Sequence, residues 1–458
     1  MKKNIVFIAL IPSLLCACMK HDKPVDQTNQ VKLLKYIFAN MDEDVMPISG
    51  WVAPTSLVNL NTLEQYQILK ESGLNCIYDL YEQYGVTLTR KDDQGVPHSY
   101  PAKDEIYKAL DYASQVGIKY FVRDATLWNN QGEAFKNAFE NREYTKYSGF
   151  GGFLYTDEPK THEDFLRIAS AREKFTQYVG DKYAFYVNLN PMQYFTSNGG
   201  DINDYRDYIK DYINTVKPTF LSYDHYALLG DSPFMKKDYF KNLSVVAEEA
   251  EAHDLSFWAF ALASGLRFKN GTFYRSPNEE EIYWQVNTIL AYGAKAVQYF
   301  CYQTPVGETP ESNEFYIGQG GSIVNEKGEK TEIFPYIQKM NKYIAFIDHI
   351  LMNSTKVGIL AKELNPAVFL FESALNSCRE VTSLESENNV ICSVFDYKGK
   401  TALYIVNTSI ISDSSFKVNF DKKHSFNTYS MDLEKTSLES TCYESSLKPG
   451  RAVLLTLD

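Results

Sequence analysis

Two adjacent carboxylates, Asp157 and Glu158, follow a short apolar run in the segment GFGGFLYTDEP. Adjacent acids repel each other, and a partly buried carboxyl beside another acid keeps its proton to an unusually high pH. The pair is therefore either a solvated turn before Pro159 or an acid–base centre. In the second case Glu158 donates the proton, Asp157 positions or tunes it, and Asp224 in the segment SYDHY acts from the opposite wall.

The elements that must position these acids follow a regular rhythm. Eight apolar runs, each followed by an amphipathic segment, occur before residue 354: VMPISGWVA, LNCIYDLY, IKYFVRDA, GGFLYTDE, KYAFYVNLNP, TFLSYDHY, LSFWAFALAS and AKAVQYFCY. This rhythm predicts a (β/α)₈ TIM barrel over residues 44–353. A doubly wound open sheet is the alternative, but no glycine-rich dinucleotide fingerprint follows the first strand. From residue 354 to 458, short strands separated by turn residues predict a small all-β sandwich.

Catalytic groups of a TIM barrel lie at the C-terminal ends of its strands, because the loops there build the pocket. Hydrolysis of a glycosidic bond needs a proton donor and a second carboxylate, for which Glu158 and Asp224 are the catalytic candidates. Amide, arginine and aromatic groups at other strand ends suit a sugar. The substrate-binding candidates are Trp51, Arg123, Asp157, Asn188, His225, Tyr226, Tyr302 and Gln303.

Several of these candidates have a structural alternative. Arg123 suits an ion pair with Asp79 or Asp124 as well as it suits a sugar contact. Each aromatic residue taken alone is more typical of core packing than of sugar stacking.

Two motifs resemble those of a known group of enzymes. YTDEP resembles the fourth-strand NEP motif of clan A glycoside hydrolases, which implies that Glu158 is the acid/base and that Asp157 replaces the usual Asn. YDHY resembles the sixth-strand element of that clan, here His225 and Tyr226. The segments FLSYDHY, FWAFALAS and YWQVNTILAYGAKAVQYFCY resemble a group of glycoside-hydrolase-like lipoproteins and secreted proteins of gut Bacteroidetes, similar in outline to family 42 β-galactosidases.

The seventh strand departs from that resemblance. Clan A enzymes carry their nucleophile glutamate at its end, whereas LSFWAFALASG contains no carboxylate. Asp224 then serves as base or nucleophile, or a loop acid such as Glu308 or Glu311 does. The third alternative is a surface lipoprotein that binds glycans without cleaving them. The expected function is hydrolysis of an oligosaccharide or polysaccharide.

The N-terminus predicts export. Residues 1–18 combine a short basic start, an apolar run and the segment LCAC, which resembles a bacterial lipobox and implies lipidation of Cys18. Residues 19–43 are then a tether, and the expected location is the outer membrane, exposed at the cell surface. An ordinary cleaved signal peptide is the alternative.

The charge and cysteine composition limits the binding partners and cofactors to be expected. There are 46 basic and 58 acidic residues, a net charge of −12, and no basic block, so nucleic acid is not expected. A lipid anchor is the one membrane contact expected. No cysteine and histidine spacing is typical of zinc, and the proposed chemistry needs neither metal nor cofactor. Cys76 and Cys301 are expected to be buried, while a disulfide among Cys378, Cys392 and Cys442 is left open.

Overall fold

The computed structural model describes residues 32–92, 94–231, 238–306, 315–317, 321–362 and 374–458. Its strands are β1 (Ile48–Trp51), β2 (Cys76–Gln83), β3 (Thr87–Lys91), β4 (Pro97–Pro101), β5 (Lys119–Arg123), β6 (Phe150–Asp157), β7 (Ala184–Asn188), β8 (Phe220–Tyr223), β9 (Ser256–Leu262), β10 (Leu266–Phe268), β11 (Phe273–Tyr274), β12 (Ala296–Phe300), β13 (Phe315–Ile317), β14 (Ser354–Lys362), β15 (Val381–Ser386), β16 (Val390–Tyr397), β17 (Lys400–Asn407), β18 (Ser414–Ser430), β19 (Lys435–Leu447) and β20 (Ala452–Leu457). Its α-helices are α1 (Leu63–Glu71), α2 (Ala102–Val116), α3 (Gly132–Arg142), α4 (His162–Tyr178), α5 (Met192–Ser197), α6 (Ile202–Val216), α7 (Tyr239–Ala252), α8 (Glu279–Ala291) and α9 (Ile333–Leu351).

Eight parallel strands form a barrel, which confirms the predicted TIM fold. Their order around the sheet is β7, β6, β5, β2, β1, β12, β9, β8. A parallel bridge between Leu189 and Tyr223 joins the two outer strands of this order and closes the ring. In chain order, β1, β2, β5, β6, β7, β8, β9 and β12 are therefore the first to eighth barrel strands. The open-sheet alternative is excluded by this closure.

Local sequence explains how the fourth unit, which carries the acids, is built. Gly152 in β6 has a φ of +139°, and a Cβ there would lie 2.1 Å from the Ala184 carbonyl oxygen of β7. Only glycine therefore lets the two strands pair at this point. The helix after the acids begins with a capping box, in which the Thr161 and Asp164 side chains accept from each other's backbone N–H groups.

A segment before the first strand closes the N-terminal end of the barrel. We call residues 32–45 the floor segment. Phe38 is buried there, with its ring centroid 5.6 Å from Phe121 and 5.5 Å from Trp258. Tyr36 stacks on Phe220 and donates its hydroxyl to the Asp181 and Tyr183 carbonyl oxygens. The barrel is therefore filled from below, and its opposite end, where the strands terminate, is the mouth.

The C-terminal module is a curled antiparallel sheet ordered β14, β16, β17, β20, β18, β15, with β19 paired to β18. Its two halves enclose an apolar core, which agrees with the predicted sandwich. The members of that core include Leu360, Val381, Leu384, Val394, Leu403, Phe416, Phe426 and Leu455. The segment AVFLFES, residues 367–373, also has the sequence pattern of one of these short strands, but it lies outside the described residues.

The sandwich packs against the barrel through α8. Trp284 donates its indole N–H to the Thr408 carbonyl oxygen at 2.8 Å. Asn287 donates to the Gly450 carbonyl at 2.7 Å and accepts from the Tyr404 hydroxyl at 2.7 Å. These buried bonds fix the module on the side of the barrel, which gives it a packing role.

Two further findings concern the described part of the chain. Its helices include none that is long and apolar enough to cross a membrane. Cys76, Cys301, Cys378, Cys392 and Cys442 are all free thiols. Cys76 and Cys301 are buried, as expected, and so is Cys392.

Candidate active site at the barrel mouth

One amide joins two of the predicted acids at the mouth. The Nδ2 of Asn188, at the end of β7, donates to Asp157 Oδ1 at 3.0 Å and to Asp224 Oδ1 at 2.8 Å. The two carboxylate oxygens are therefore no further apart than the sum of these two distances. Asp157 is exposed at the rim, whereas Asp224 is buried behind it at 7% exposure. Of the two aspartates, Asp157 is therefore open to the mouth and Asp224 lies behind it.

A polar network inside the barrel fixes the orientation of Asn188. Its Oδ1 accepts from the Ser222 hydroxyl at 3.2 Å, and that hydroxyl lies 2.8 Å from the Tyr186 hydroxyl. Gln298 accepts from both Tyr186 and Tyr78, at 2.8 and 2.7 Å, and donates to Ser222 at 2.9 Å. Because these groups are buried and satisfied, they lock the amide with its nitrogen toward the acids.

The backbone of Glu158 is held in an unusual conformation. Its φ is +46°, in the left-handed region that a glutamate rarely adopts. Its N–H donates to the Asn188 carbonyl at 2.9 Å, and the next carbonyl, of Pro159, accepts from Asn190 Nδ2 and the Tyr208 hydroxyl. Bonds on both sides of Glu158 therefore maintain the strain, as is common at functional sites.

The electrostatics divide the acids into different roles. Burial, the charge of Asp224 and the charge of Asp157 together raise the pKa of Glu158 far above that of an ordinary glutamate. Burial and the charge of Asp157 also raise the pKa of Asp224, although the Asn188 amide opposes that shift. Glu158 therefore holds a proton at neutral pH, as a general acid must.

Tyr226 brings an aromatic surface to the same corner. Burial raises the pKa of its hydroxyl, and the negative charges of Asp224, Asp157 and Glu158 raise it further. The ring is half-buried and its centroid is 5.5 Å from that of Phe300 at the end of the eighth strand. A half-buried aromatic ring of this kind is a surface on which a sugar face can stack.

The geometry corrects the expected wall of Asp224. Asp224 follows the sixth strand, β8, and reaches Asp157 of the fourth strand through Asn188 of the fifth. The two aspartates therefore share one wall, rather than facing each other across the mouth. The reason is the consecutive order of β6, β7 and β8 around the ring.

Three other predicted residues are buried among protein groups. Trp51 lies in the barrel interior against Tyr78 and Phe260, at centroid distances of 5.5 and 5.9 Å. Tyr302 is fully buried and directs its hydroxyl at the Gln65 carbonyl. Gln303 is also fully buried and accepts from the Thr55 N–H at 3.2 Å. Burial by protein groups therefore gives all three a packing role.

Arg123 and His225 lie close to the site but have protein partners. Arg123 donates to the Leu80 carbonyl oxygen. His225 is buried, with Nε2 3.3 Å from the Asp238 carboxylate at the start of α7. Both expected ion-pair partners of Arg123 are engaged elsewhere. Asp124 pairs with Arg142 at 3.0 Å, and Asp79 accepts from the Tyr120 hydroxyl.

Polar groups inside the barrel are the part of the site that sequence reasoning missed. Ser222 and Gln298 each interrupt an apolar run, and Tyr78 and Tyr186 bring hydroxyl groups to the same interior network. A polar residue at an inward position of a buried strand requires a hydrogen-bond partner, and this requirement was the signal in the sequence.

Glu308 and Glu311, the suggested loop acids, lie outside the described residues. Among the described residues, no group of three His, Cys, Asp or Glu side chains is arranged to hold a metal ion.

Comparisons with known proteins concern the fold. No family model matches the chain, and no curated protein matches it. Among solved structures it is similar to a β-galactosidase from Marinomonas ef1, at 9% identity over 68% of this chain and 62% of that one, with a TM-score of 0.47. A maltogenic α-amylase from Thermotoga neapolitana gives 12% identity, 91% and 99% coverage and a TM-score of 0.44. Xylanase 10B from Thermotoga maritima is 11% identical over 66% of this chain and 96% of that one, with a TM-score of 0.42.

Replacing Asn188 with Ala is expected to destabilise the protein by about 1–3 kcal/mol, because two close carboxylates lose their shared donor. The pKa of Asp224 should rise further, since the amide is what opposes its upward shift. A carboxyl whose pKa is higher in the folded state than in the unfolded chain lowers the folding stability of the protein as the pH increases. The loss should therefore be larger at pH 8 than at pH 5 when unfolding in urea is followed by circular dichroism.

Asn137, exposed on α3, provides the matched control. Asn137→Ala should change the free energy of unfolding by less than about 0.5 kcal/mol at either pH. An Asn188→Ala loss that is the same at both pH values would contradict the role given to the amide.

Proposed function

We propose that this protein is a glycoside hydrolase that acts on an oligosaccharide or polysaccharide. The observation that carries the proposal is the pairing of a proton-holding Glu158 with two aspartates at the mouth of a TIM barrel. Catalytic groups in this fold lie at that end of the strands. Cleavage of a glycosidic bond requires a carboxyl that donates a proton and a carboxylate that handles the positive charge developing at C1.

The residues take distinct roles in this proposal. Glu158 protonates the oxygen of the departing sugar, which is why its high pKa matters. Asp157 and Asp224 provide negative charge beside the sugar ring, with Asn188 setting their spacing. Tyr226 offers its ring to a sugar face.

The location of the protein is also proposed from its sequence. Residues 1–18 form an export signal, Cys18 receives a lipid, and residues 19–43 tether the barrel to the outer membrane at the cell surface. A relationship to the gut Bacteroidetes lipoproteins and to family 42 β-galactosidases belongs to the same proposal. Its support is the set of motifs around Glu158 and His225.

A panel of plant, microbial and host glycans, incubated with the wild-type chain, tests the activity. We expect reducing ends to appear with at least one glycan, at a rate proportional to the enzyme concentration. Glu158→Gln is the control and should release none above background within the same time. Affinity for a glycan without any turnover would instead establish the binding alternative, a surface lipoprotein on a barrel that does not cleave.

A further inference from the structure

Two carboxyls that the proposed reaction does not use lie buried near the end of the second barrel strand. Asp79 is 1% exposed and Glu82 is 2% exposed, and both belong to β2. Their side chains are hydrogen-bonded to each other. A carboxylate has no hydrogen to donate, so one proton must lie between the two groups. We call Asp79 and Glu82 the carboxyl couple.

The donors around the couple indicate which member holds the proton. The Asp79 carboxylate accepts from the Tyr81 and Glu82 N–H groups, at 2.9 and 3.0 Å. It also accepts from the Tyr120 hydroxyl. Glu82 accepts through Oε1, which leaves Oε2 to carry a hydrogen toward Asp79. Burial and the charge of Asp79 raise the pKa of Glu82 well above its ordinary value, so Glu82 is the protonated member.

The couple holds two loops of the mouth. Glu82 Oε1 accepts from the Thr55 hydroxyl at 3.0 Å, from the Ser56 N–H at 2.7 Å and from the Ser56 hydroxyl at 2.6 Å. Thr55 and Ser56 belong to the loop after the first strand. The Ser56 hydroxyl lies 2.9 Å from the hydroxyl of Tyr100 in β4, which belongs to the loop after the second strand. One carboxyl oxygen therefore holds the first loop directly and the second loop through Ser56.

Three tyrosines are electrostatically linked to the couple. Tyr66 of α1 and Tyr120 of β5 interact with both carboxyls, and Tyr100 interacts with the glutamate. The guanidinium of Arg90 in β3 lies 4.8 Å from the centroid of the Tyr100 ring, and the charge of Glu105 in α2 also acts on the Tyr100 hydroxyl. Burial raises the pKa of all three tyrosines, so their hydroxyls stay neutral over the range in which a carboxyl titrates.

We propose that the carboxyl couple is a pH-sensitive latch, which holds the first and second loops of the mouth while it keeps its proton and releases them when the proton is lost. Two charged carboxylates in contact inside a protein repel each other. Exposure to water weakens this repulsion, so the charged couple favours a state in which Thr55 and Ser56 have moved away from Glu82. This inference goes beyond the proposed glycosidase function and does not depend on it.

Opening of the latch is coupled to one proton. In the open state Glu82 is in water and has the pKa of an ordinary glutamate, about 4.3, whereas in the closed state its pKa is far higher. Between these two values the closed state holds one proton more than the open state. The equilibrium constant for opening therefore rises about tenfold for each pH unit, and the closed state loses stability as the pH increases.

Hydrogen exchange followed by mass spectrometry at pH 5, 6 and 7, corrected for the intrinsic exchange rate, tests the latch. We expect the protection of peptides that cover residues 55–60 to fall about tenfold per pH unit in the wild-type chain. Peptides from residues 390–407 of the sandwich should keep the same protection throughout. Protection of residues 55–60 that is unchanged between pH 5 and pH 7 would overturn the proposal.

Glu82→Gln removes the titration and keeps the contacts, since the amide nitrogen of glutamine donates to Asp79 and its oxygen accepts from Ser56. In this variant the protection of residues 55–60 should change by less than about twofold per pH unit. A tenfold dependence that persists in Glu82→Gln would assign the proton to another group and overturn the proposal. The wild-type pH series stands without the variant, should Glu82→Gln not fold.

Glu105→Gln is the matched control. Glu105 is also buried, at 5% exposure, and it also holds the loop after the first strand, because its carboxylate accepts from Asn61 at 3.0 Å. Its second partner is Lys108 at 2.8 Å, so it shares no proton with another acid. Glu105→Gln should therefore keep the wild-type fall in protection with pH. Loss of that fall in Glu105→Gln would remove the latch from the carboxyl couple.

Discussion

Glu158→Gln is expected to lower turnover by about 10²–10⁴-fold, the range that a general acid contributes. The same variant should be more stable than the wild type at neutral pH, by roughly 1–3 kcal/mol after allowance for partial exposure. Burial and two neighbouring aspartates raise the pKa of Glu158, so the folded state holds a proton that the unfolded chain releases. Stability is then lost as pH rises above the ordinary glutamate pKa, and glutamine avoids that loss.

Reducing-end release and thermal unfolding at pH 4 and pH 7 measure the two effects. The stability gain should be small at pH 4, where glutamate is protonated in both states, and larger at pH 7. Glu163, exposed in the first turn of α4, is the matched control, and Glu163→Gln should leave both readouts within about twofold and 0.5 kcal/mol. A Glu158→Gln protein that retains its turnover would remove Glu158 from the chemistry.

Phe38→Ala is expected to cost about 3–5 kcal/mol of folding free energy, as for other large aromatic side chains truncated in a core. The ring is 1% exposed and contacts rings of the third and seventh barrel strands. Loss of the ring would leave a cavity inside the barrel. The strands cannot move together to fill this cavity, because the hydrogen bonds between neighbouring strands fix their spacing. Urea unfolding followed by tryptophan fluorescence measures the change.

Leu33→Ala is the control for this variant, since Leu33 belongs to the same floor segment and is exposed. Its expected cost is below about 0.5 kcal/mol. If Phe38→Ala cost less than about 1 kcal/mol, the floor segment would not be part of the folded barrel in solution.

The barrel could be predicted from the sequence because each of its eight strands is an apolar run followed by an amphipathic segment. Other strands lack that contrast. β3 and β4 form a hairpin, and β19 extends β18, with mostly exposed or half-exposed side chains. Without a buried face, alternation between apolar and polar residues is weak, so these strands escaped prediction.

The site was predictable in composition and less so in geometry. The rule that strand ends carry the chemistry identified Glu158, Asp157, Asn188 and Asp224. It gave no information on which side chains touch, because the bridging bonds of Asn188 depend on the stagger of three neighbouring strands. The same rule also selected Tyr302, whose side chain points outward to α1, since successive side chains alternate between the two sides of the wall.

The floor segment also bears on the order in which the molecule assembles. It leads the described part of the chain, yet its ring partners Phe121, Phe220 and Trp258 belong to the third, sixth and seventh barrel strands. Its backbone partner Lys182 lies just before the fifth. A chain that emerges N-terminus first must therefore keep Tyr36 and Phe38 unsatisfied until most of the barrel has been made. Such distant contacts form slowly. The last step in forming this fold would then be the docking of the floor segment.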